Sequence, residues 1–536
     1  MPAGNPNLTL TLPNLPALTA LARAGAVGRA WELFGQAGYL ERTTDPAALA
    51  VKGRLLKGRG RLASGAEQRA LFADAAGAYA SAHTLDPAPY LAINAASLNL
   101  LAGDAARAAE GAREVLALLD APDTPADTPY FLAATRAEAL LILGERAQAE
   151  AAMEVAAAHD PDGWANRAAT IAQLHEIARA QASDAGWIDR FAPPASLHFA
   201  GHMGLASGGA SEAALAKDLD ALFARHRFGF AWGALAAGAD VVIAEQLLAR
   251  GIELHVVLPC PPDQFEAQSV APAGEGWTGR YRALLEQAAS VRCAADSATS
   301  VHDPLATLHA GELAIGGALN NALTLASSAA QLIVTDEAGG GINTARQAAL
   351  WRASSGPQHC LTVPRDAQVE ALFPPEQPDP ARVLAVHLAV GLDALAGDDA
   401  LPSAAISALT APVTEVLGAL PTGSVRAAPG RWEASVEDLE LALAVASRLA
   451  ALGTVAVGAH LAIGPVLRDA PSGSMVPFGP APALARHLMA LAPVGVTLLS
   501  DALAVTLAAR GSAGHRSELY HPGEDEAGGA VHTLVF

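Results

Sequence analysis

The sequence predicts a multidomain chain in three parts: an all-α helical region, an α/β region built on a parallel sheet, and a third region mixing strand-like and helix-like segments. Three observations carry this. The chain has 536 residues, more than one hydrophobic core usually organises. From about Leu15 to Ala182, apolar residues and alanines recur at three- and four-residue spacing, the period of a helix. After Pro193-Pro194, in the stretch DAGWIDRFAPPAS, the pattern switches to alternating apolar runs and helical segments.

The first part, residues 1–190, reads as stacked helix pairs. Two segments share one plan: a small-residue helix, a stop at Asp86-Pro87 or Asp160-Pro161, then a new helix carrying an aromatic residue. Gly103 in LLAGDAARAA and Gly144 in LILGERAQAE fall where one helix turns into the next. This arrangement resembles degenerate tetratricopeptide (TPR) repeats. The resemblance implies a concave surface on which a protein partner docks. A helical spacer packed on the next domain is the alternative.

The second part, residues 195–370, carries strand-like runs in SLHFAGHMG, FGFAW, ELHVVLP, QLIVTD and HCLTVP, with helical segments between them. In a parallel sheet, loops at the strand ends lead into helix N-termini whose free N–H groups favour phosphates. Three glycine-bearing loops occupy such places. They supply Gly201, His202 and Gly204 after the first strand, Gly233 and Gly238 after the second, and Gly340, Gly341, Asn343 and Thr344 after LIVTD. Glycine lets backbone approach a ligand closely. Asp240 and Glu245, on the helix after Gly238, complete the candidate set; Glu245 would reach a ribose or base. Tight turns, a helix-capping Asp240 and a solvated Glu245 are the structural alternatives. His198 and His202 have no visible acid, nucleophile or metal partner, which favours a structural role.

The phrase GALAAGADVVIAEQLLARGIELHVVLPCPPDQFEAQSV, with the order of its glycine loops, resembles the SLOG superfamily. That is a Rossmann-like nucleotide-binding group including LOG-type phosphoribohydrolases and DNA-processing proteins. The resemblance implies a nucleotide-related ligand. LOG-type enzymes carry PGGxGTxxE, whose last residue is the catalytic acid. With Asn343-Thr344 set on the GT pair, Gly339 stands at the Pro and Gln347 at the Glu. A glutamine amide cannot act as a carboxylate near neutral pH, so a sensor pocket is expected rather than base release.

The third part, residues 378–536, holds ARVLAVHLAVGLDAL, GSVRAAPGRWEASVEDLELALAVASRLAALG, VAVGAHLAIGPV and MVPFGPAPALARHLMALAPVGVTLLSDALAVTLAARG. These follow the order of a class III adenylate or guanylate cyclase domain. Gly479, Ala485, Leu488, Ala492, Gly495, Leu498 and Ser500 fall in step with its VGDxVNxAARL…LxS stretch. The resemblance implies a ferredoxin-like α+β fold and dimer formation. Cyclase chemistry needs two aspartates holding two metal ions. Anchoring FADIVGF on VHLAVGL puts Leu388 at the first, and anchoring the GD hairpin on Pro429-Gly430-Arg431 puts Arg431 at the second. A one-residue slip brings only His387 or Ala389, and hard magnesium wants oxygen donors. The Asp of the later GD, the Asn and the Arg align with Pro480, Ala483 and His487. All five positions are lost, so cyclase activity is predicted to be absent. Asp393 reads as a cap. The tail is expected to supply a closing strand, VHTLVF, after a polar loop; His515, His521 and His532 are too scattered for a metal site.

Composition narrows the rest. A net charge of −20, with 16% charged residues, argues against nucleic-acid and anionic-membrane surfaces. Cys260, Cys293 and Cys360 show no metal-ligand or disulfide spacing and suit a reducing compartment. No signal-peptide pattern and no apolar run of spanning length occurs, which makes the cytoplasm the expected location. The expected function is non-catalytic signalling or regulation: a nucleotide-related ligand in the second part, a protein partner on the first, a homodimer or regulatory contact through the third. No cofactor or metal is assigned. A hydrolase of a nucleotide or nicotinamide derivative and a pure scaffold are the alternatives.

Overall fold

The computed structural model describes residues 13–121, 127–295, 303–339, 341–353, 356–373, 375–392, 403–468, 475–477, 479–512, 514–521 and 529–535. Gly340 and Asp393 lie outside them. The chain divides into two compact units, Thr11–Pro193 and Pro194–Phe536.

The first unit is helical. Its helices are α1 (Leu15–Arg23), α2 (Val27–Gln36), α3 (Pro46–Leu62), α4 (Gly65–Leu85), α5 (Pro89–Ala102), α6 (Ala105–Leu119), α7 (Pro129–Ile142), α8 (Arg146–His159) and α9 (Trp164–Ala180). Proline opens α3, α5 and α7, where its missing N–H costs nothing. Asp45 and Thr128 accept first-turn N–H groups. Asp86 and Asp160 stand just past the ends of α4 and α8. Gly103 follows α5 in a left-handed conformation, φ 96°, which a side chain would strain. Small residues let α3 and α4 approach: a Cβ on Gly60 would stand 2.6 Å from the Phe72 ring, and one on Gly53 would stand 2.7 Å from Tyr79.

The second unit holds two sheets. The first contains β1 (Ala195–Gly201), β2 (Phe228–Gly233), β3 (Glu253–Leu258), β4 (Ser290–Cys293), β5 (Ala329–Thr335) and β6 (Gln358–Thr362), all parallel, in the order β4-β3-β2-β1-β5-β6. Helices α10 (Ala210–Phe223), α11 (Ala239–Leu248), α12 (Pro262–Ser269), α13 (Glu275–Gln287), α14 (Pro304–Thr324), α15 (Ile342–Ala353) and α16 (Ala367–Glu370) connect them. The chain runs outward from β1 to β4, then returns to β5 beside β1, so the strand order reverses between β1 and β5. The sequence shows β4 and α14 poorly: β4 is four residues long, and α14 is rich in alanine and glycine with little contrast between its faces.

The second sheet contains β7 (Arg382–Leu392), β8 (Val425–Ala428), β9 (Arg431–Val436), β10 (Val455–Arg468), β11 (Met475–Pro477), β12 (Thr497–Ser500), β13 (Arg516–His521) and β14 (Val531–Val535), ordered β13-β14-β12-β10-β7-β9-β8, with β11 on β10. Its helices are α17 (Ser403–Leu417), α18 (Leu439–Ala451), α19 (Ala481–Leu491) and α20 (Asp501–Arg510). The polar loop expected before the closing strand contains β13, which gains its regularity from pairing with β14.

The two sheets meet along α14 and α20. Glu312, nearly buried on α14, accepts two hydrogen bonds from Arg510 at 2.9 and 3.0 Å. Arg292 pairs with Asp501. Gly316 is required here, because a Cβ would stand 1.8 Å from the Val505 carbonyl oxygen. Among the described residues, no helix is long and apolar enough to cross a membrane.

Candidate functional site

The C-terminal ends of the parallel strands surround a cavity of about 350 Å³. In open α/β sheets ligands bind at this edge, where the strand order reverses. Gly201 and His202 reach it from β1, Ala234 and Ala236 from the loop after β2, and Pro259 and Cys260 from the loop after β3. One face of α14 (Ala306, Thr307, Ala310, Gly311) forms a wall, and the first turn of α15 brings Gly341, Asn343 and Thr344. Arg365, which follows β6, and Arg382, which opens β7, also line it.

Asp240 anchors the floor. One carboxylate oxygen accepts from Gly201 N at 2.8 Å and the other from Ala236 N at 3.3 Å. Burial pushes its carboxyl up to about 7, against the pull of those two N–H groups. Thr344 Oγ1 donates to the Gly201 carbonyl at 3.2 Å, tying α15 to the end of β1. Asn343 donates to Glu376 at 2.8 Å, while its buried Oδ1 takes no hydrogen bond among the described residues. Arg365 pairs with Asp336 at 3.1 Å.

A polar network runs back from the cavity, starting at Gln347, which also lines it. Gln331 donates to His198 Nδ1 at 3.0 Å, and His198 Nε2 meets Gln347 Oε1 at 3.0 Å. Those partners assign the proton to Nε2. Burial lowers this histidine to about 3, so it stays neutral. Gln347 thus serves as a hydrogen-bonding partner of a buried neutral histidine. His202 is also buried, with Nε2 on the Val363 carbonyl at 3.1 Å.

Of the residues expected to bind ligand, Gly201, His202, Asp240, Gly341, Asn343 and Thr344 line the cavity, and Gly204, Gly233, Gly238 and Glu245 do not. Those glycines answer packing needs. A Cβ on Gly204 would meet Arg365 at 2.1 Å, one on Gly233 would meet Phe199 at 2.6 Å, and one on Gly238 would meet the His202 carbonyl at 2.9 Å. Gly201 has a packing need as well, 2.4 Å from Ala239. A Cβ on Gly341 would be accommodated, with Arg365 at 3.9 Å. Glu245 is corrected most clearly: it is held by Arg280 through two hydrogen bonds of 2.7 and 2.6 Å on the α11–α13 side. Sequence reasoning missed Arg365, Arg382, Glu376 and α14. Their only sequence signal is a position just after or before an expected strand.

In the second sheet, the position expected at the first aspartate has little space beside it. Beside Leu388 the cavity is about 30 Å³, room for a water or two. Leu388 is 2% exposed and sits in the apolar core with Val386, Val390, Trp432 and Ala434. Arg431 pairs with Gly391, three positions along β7, so it lies on the opposite face from Leu388. This corrects the anchoring of the first strand: His387 and Ala389 share the face of Arg431, and neither is a carboxylate. Glu433, across from Ala389, is paired with Arg486 at 3.1 Å. Pro480 caps α19, Ala483 is exposed and His487 half-buried on it. Among the described residues no group of three or more His, Cys, Asp or Glu side chains is placed to hold a metal ion.

No family model matches the chain, and no curated protein matches it. Solved structures do match. The adenylyl cyclase CyaB from P. aeruginosa aligns at 12% identity and a TM-score of 0.23, covering 29% of this chain and 95% of that one. An adenylate cyclase from Trypanosoma brucei gives 13% and 0.24, with 30% and 90% covered. An adenylate/guanylate cyclase/hydrolase from Silicibacter pomeroyi gives 16% and 0.21, with 29% and 98% covered.

Proposed function

We propose that this protein is a non-catalytic regulatory protein that binds a nucleotide-related ligand at the end of its parallel sheet. The observation that carries the reading is the cavity of about 350 Å³. Its volume suits a nucleotide, its walls are largely small apolar side chains, and two guanidiniums and a helix N-terminus supply the anion-favouring groups. In this reading the α/β region is SLOG-like, and the TPR-like helical unit docks a protein partner. The third region is a cyclase-homology domain that serves dimerisation or regulation without cyclase chemistry.

The helical unit carries a cluster of paired polar groups between α3 and α9. Lys57 donates to Gln173 at 2.8 Å, and Arg61 pairs with Glu176 at 2.8 Å. Burial pulls the Lys57 ammonium down to about 8 and pushes the neighbouring Glu138 carboxyl up to about 7.

One observation favours a second reading, hydrolysis in the same cavity: Asp240 lines it with a carboxyl poised near neutrality. Both its oxygens are already engaged by backbone N–H groups, which favours the binding reading. Thermal shift of the full chain against nucleotides, cyclic nucleotides and ADP-ribose, followed by product analysis, separates the two. Stabilisation without turnover is expected. Turnover lost in Asp240→Asn establishes the hydrolase, and no shift across the panel removes both readings.

A further inference from the structure

One register row sets the first sheet apart. Successive side chains on a strand take opposite faces, and Leu197, Leu254, Val256 and Leu332 put one face into the apolar core. A parallel sheet is ordinarily apolar on its other face too. Here every residue of one row on that face carries a hydrogen-bonding group: Ser290, His255, Trp232, His198, Gln331 and Gln358 stand side by side on β4, β3, β2, β1, β5 and β6. On β1, β5 and β6 the row is closed. Gln358 donates to Gln331 at 2.6 Å, Gln331 donates to His198 at 3.0 Å, and both Gln331 and His198 are fully buried. On β2, β3 and β4 it opens onto a second cavity of about 260 Å³, between α14 and α20. His255 stacks on Trp232 at 4.4 Å and meets Ser290 Oγ at 2.8 Å. Helix α14 turns one stripe toward this cavity, Leu313, Gly317, Asn320, Asn321 and Thr324, at helical spacing. Gly317 permits the close approach, since a Cβ would stand 2.7 Å from the Trp232 ring. Asn321 is partly used, donating to Ser196 at 3.0 Å. The Trp232 indole N–H and the Asn320 and Thr324 side chains have no hydrogen-bond partner among the described residues.

We propose that this cavity is a second ligand site, for an uncharged polyhydroxylated molecule of monosaccharide size. The volume is that of roughly eight or nine waters, smaller than the first cavity. The chemistry of the walls sets the class. Arg292 and Asp501, the charged pair at the α20 side, are bonded to each other, and Asp501 also meets His532 Nε2 at 3.1 Å. A charged ligand would have to break that pair, which is costly where water is scarce. An apolar ligand would leave the indole N–H, the carboxamides and the hydroxyls without water or partner. Hydroxyl groups both donate and accept, so they match the Trp232 N–H, the Asn320 carboxamide and the Thr324 hydroxyl together. The site lies on the opposite side of α14 from Thr307 and Gly311, which line the first cavity, and the proposal does not depend on the nucleotide reading.

The test is NMR of the full chain carrying ¹⁵N-labelled tryptophan, titrated with D-glucose, D-ribose, myo-inositol and glucose 6-phosphate. The Trp232 indole signal is identified by its absence in Trp232→Phe. At least one uncharged probe is expected to move it, saturating within roughly 20 mM, above the millimolar end of specific affinity. Asn320→Ala should weaken that probe by about five-fold, the loss of one neutral hydrogen bond, and a change under about two-fold overturns the site. Binding that leaves the Trp232 signal in place overturns it as well, and so does silence from every uncharged probe. Tighter binding of glucose 6-phosphate than of glucose overturns the uncharged class. If Trp232→Phe fails to fold, calorimetric titration of Asn320→Ala against the wild type decides by the same criterion. None of these outcomes bears on nucleotide binding at the first cavity, so the two readings fail separately.

Discussion

The two sheets of the second unit leave different amounts of space: the first at the ends of parallel strands, the second along the antiparallel pair β7–β9. At the first sheet, the strand ends open onto about 350 Å³ lined by Asp240, Asn343, Thr344, Arg365 and Arg382. At the second, the space beside Leu388 is about 30 Å³ and the neighbouring face carries His387, Ala389 and a single carboxylate already paired with Arg486. The larger space and its converging polar groups lie with the parallel sheet.

The comparison is broken most severely by placing carboxylates in the second sheet. Leu388→Asp places a carboxylate in an apolar core and is expected to cost about 3 kcal/mol or more, read by urea unfolding. Combined with Arg431→Asp, it should yield no cyclic nucleotide with Mg²⁺ or Mn²⁺, because the two side chains face opposite ways. Cyclic product from this variant would overturn the account of the second sheet.

Acid separates the sheets next. Burial holds His387 down to about 4 and His460 down to about 3, with Ser435 and Ser500 on their Nδ1 atoms and Arg292 and His309 adding positive charge near His460. Each folded value lies below the ordinary one near 6.5, so the unfolded chain takes up protons first as pH falls. The stability these neutral histidines allow is present above about 6.5 and is lost toward 4, by up to about 1.4 kcal/mol per unit for each group. In the first sheet His198 has the same sign, but Asp240 has the opposite one: its folded value, near 7, is raised, so its contribution grows as pH falls from 7 toward 4. Hydrogen exchange at pH 7 and pH 5 should therefore show protection falling more in β7 and β10 than in β1 and β5. Equal or reversed losses would contradict this assignment.

The smallest effect is the sharpest test of the cavity's limits. Glu245→Gln weakens a half-buried ion pair with Arg280, which Glu212 also holds, and should change stability by about 1 kcal/mol. Nucleotide affinity should be unchanged, and a loss would return Glu245 to the site.

How far the sequence reached is clearest at particular residues. The helical period of residues 15–182 and the alternation of VLAVHLAVGL are local patterns of burial, and α1–α9 and β7 appear where those patterns lie. That no carboxylate stands at 387, 388 or 389 depends on residue identity alone. The anchoring on Leu388 was off by one face, because only the β7–β9 register sets which side a residue takes. Helix α14 was invisible: buried on several sides, it has no polar stripe to reveal its period.

By itself, then, the sequence determined the kinds of element, since these follow from short-range pattern and side-chain type. Only the tertiary structure decided that Gly204, Gly233 and Gly238 serve packing, and that Gly201 and Arg382, 181 positions apart in the sequence, line one cavity. That convergence is set by the strand order β4-β3-β2-β1-β5-β6 and by the seating of β7 against α14. These are long-range packing choices, and no local period encodes them.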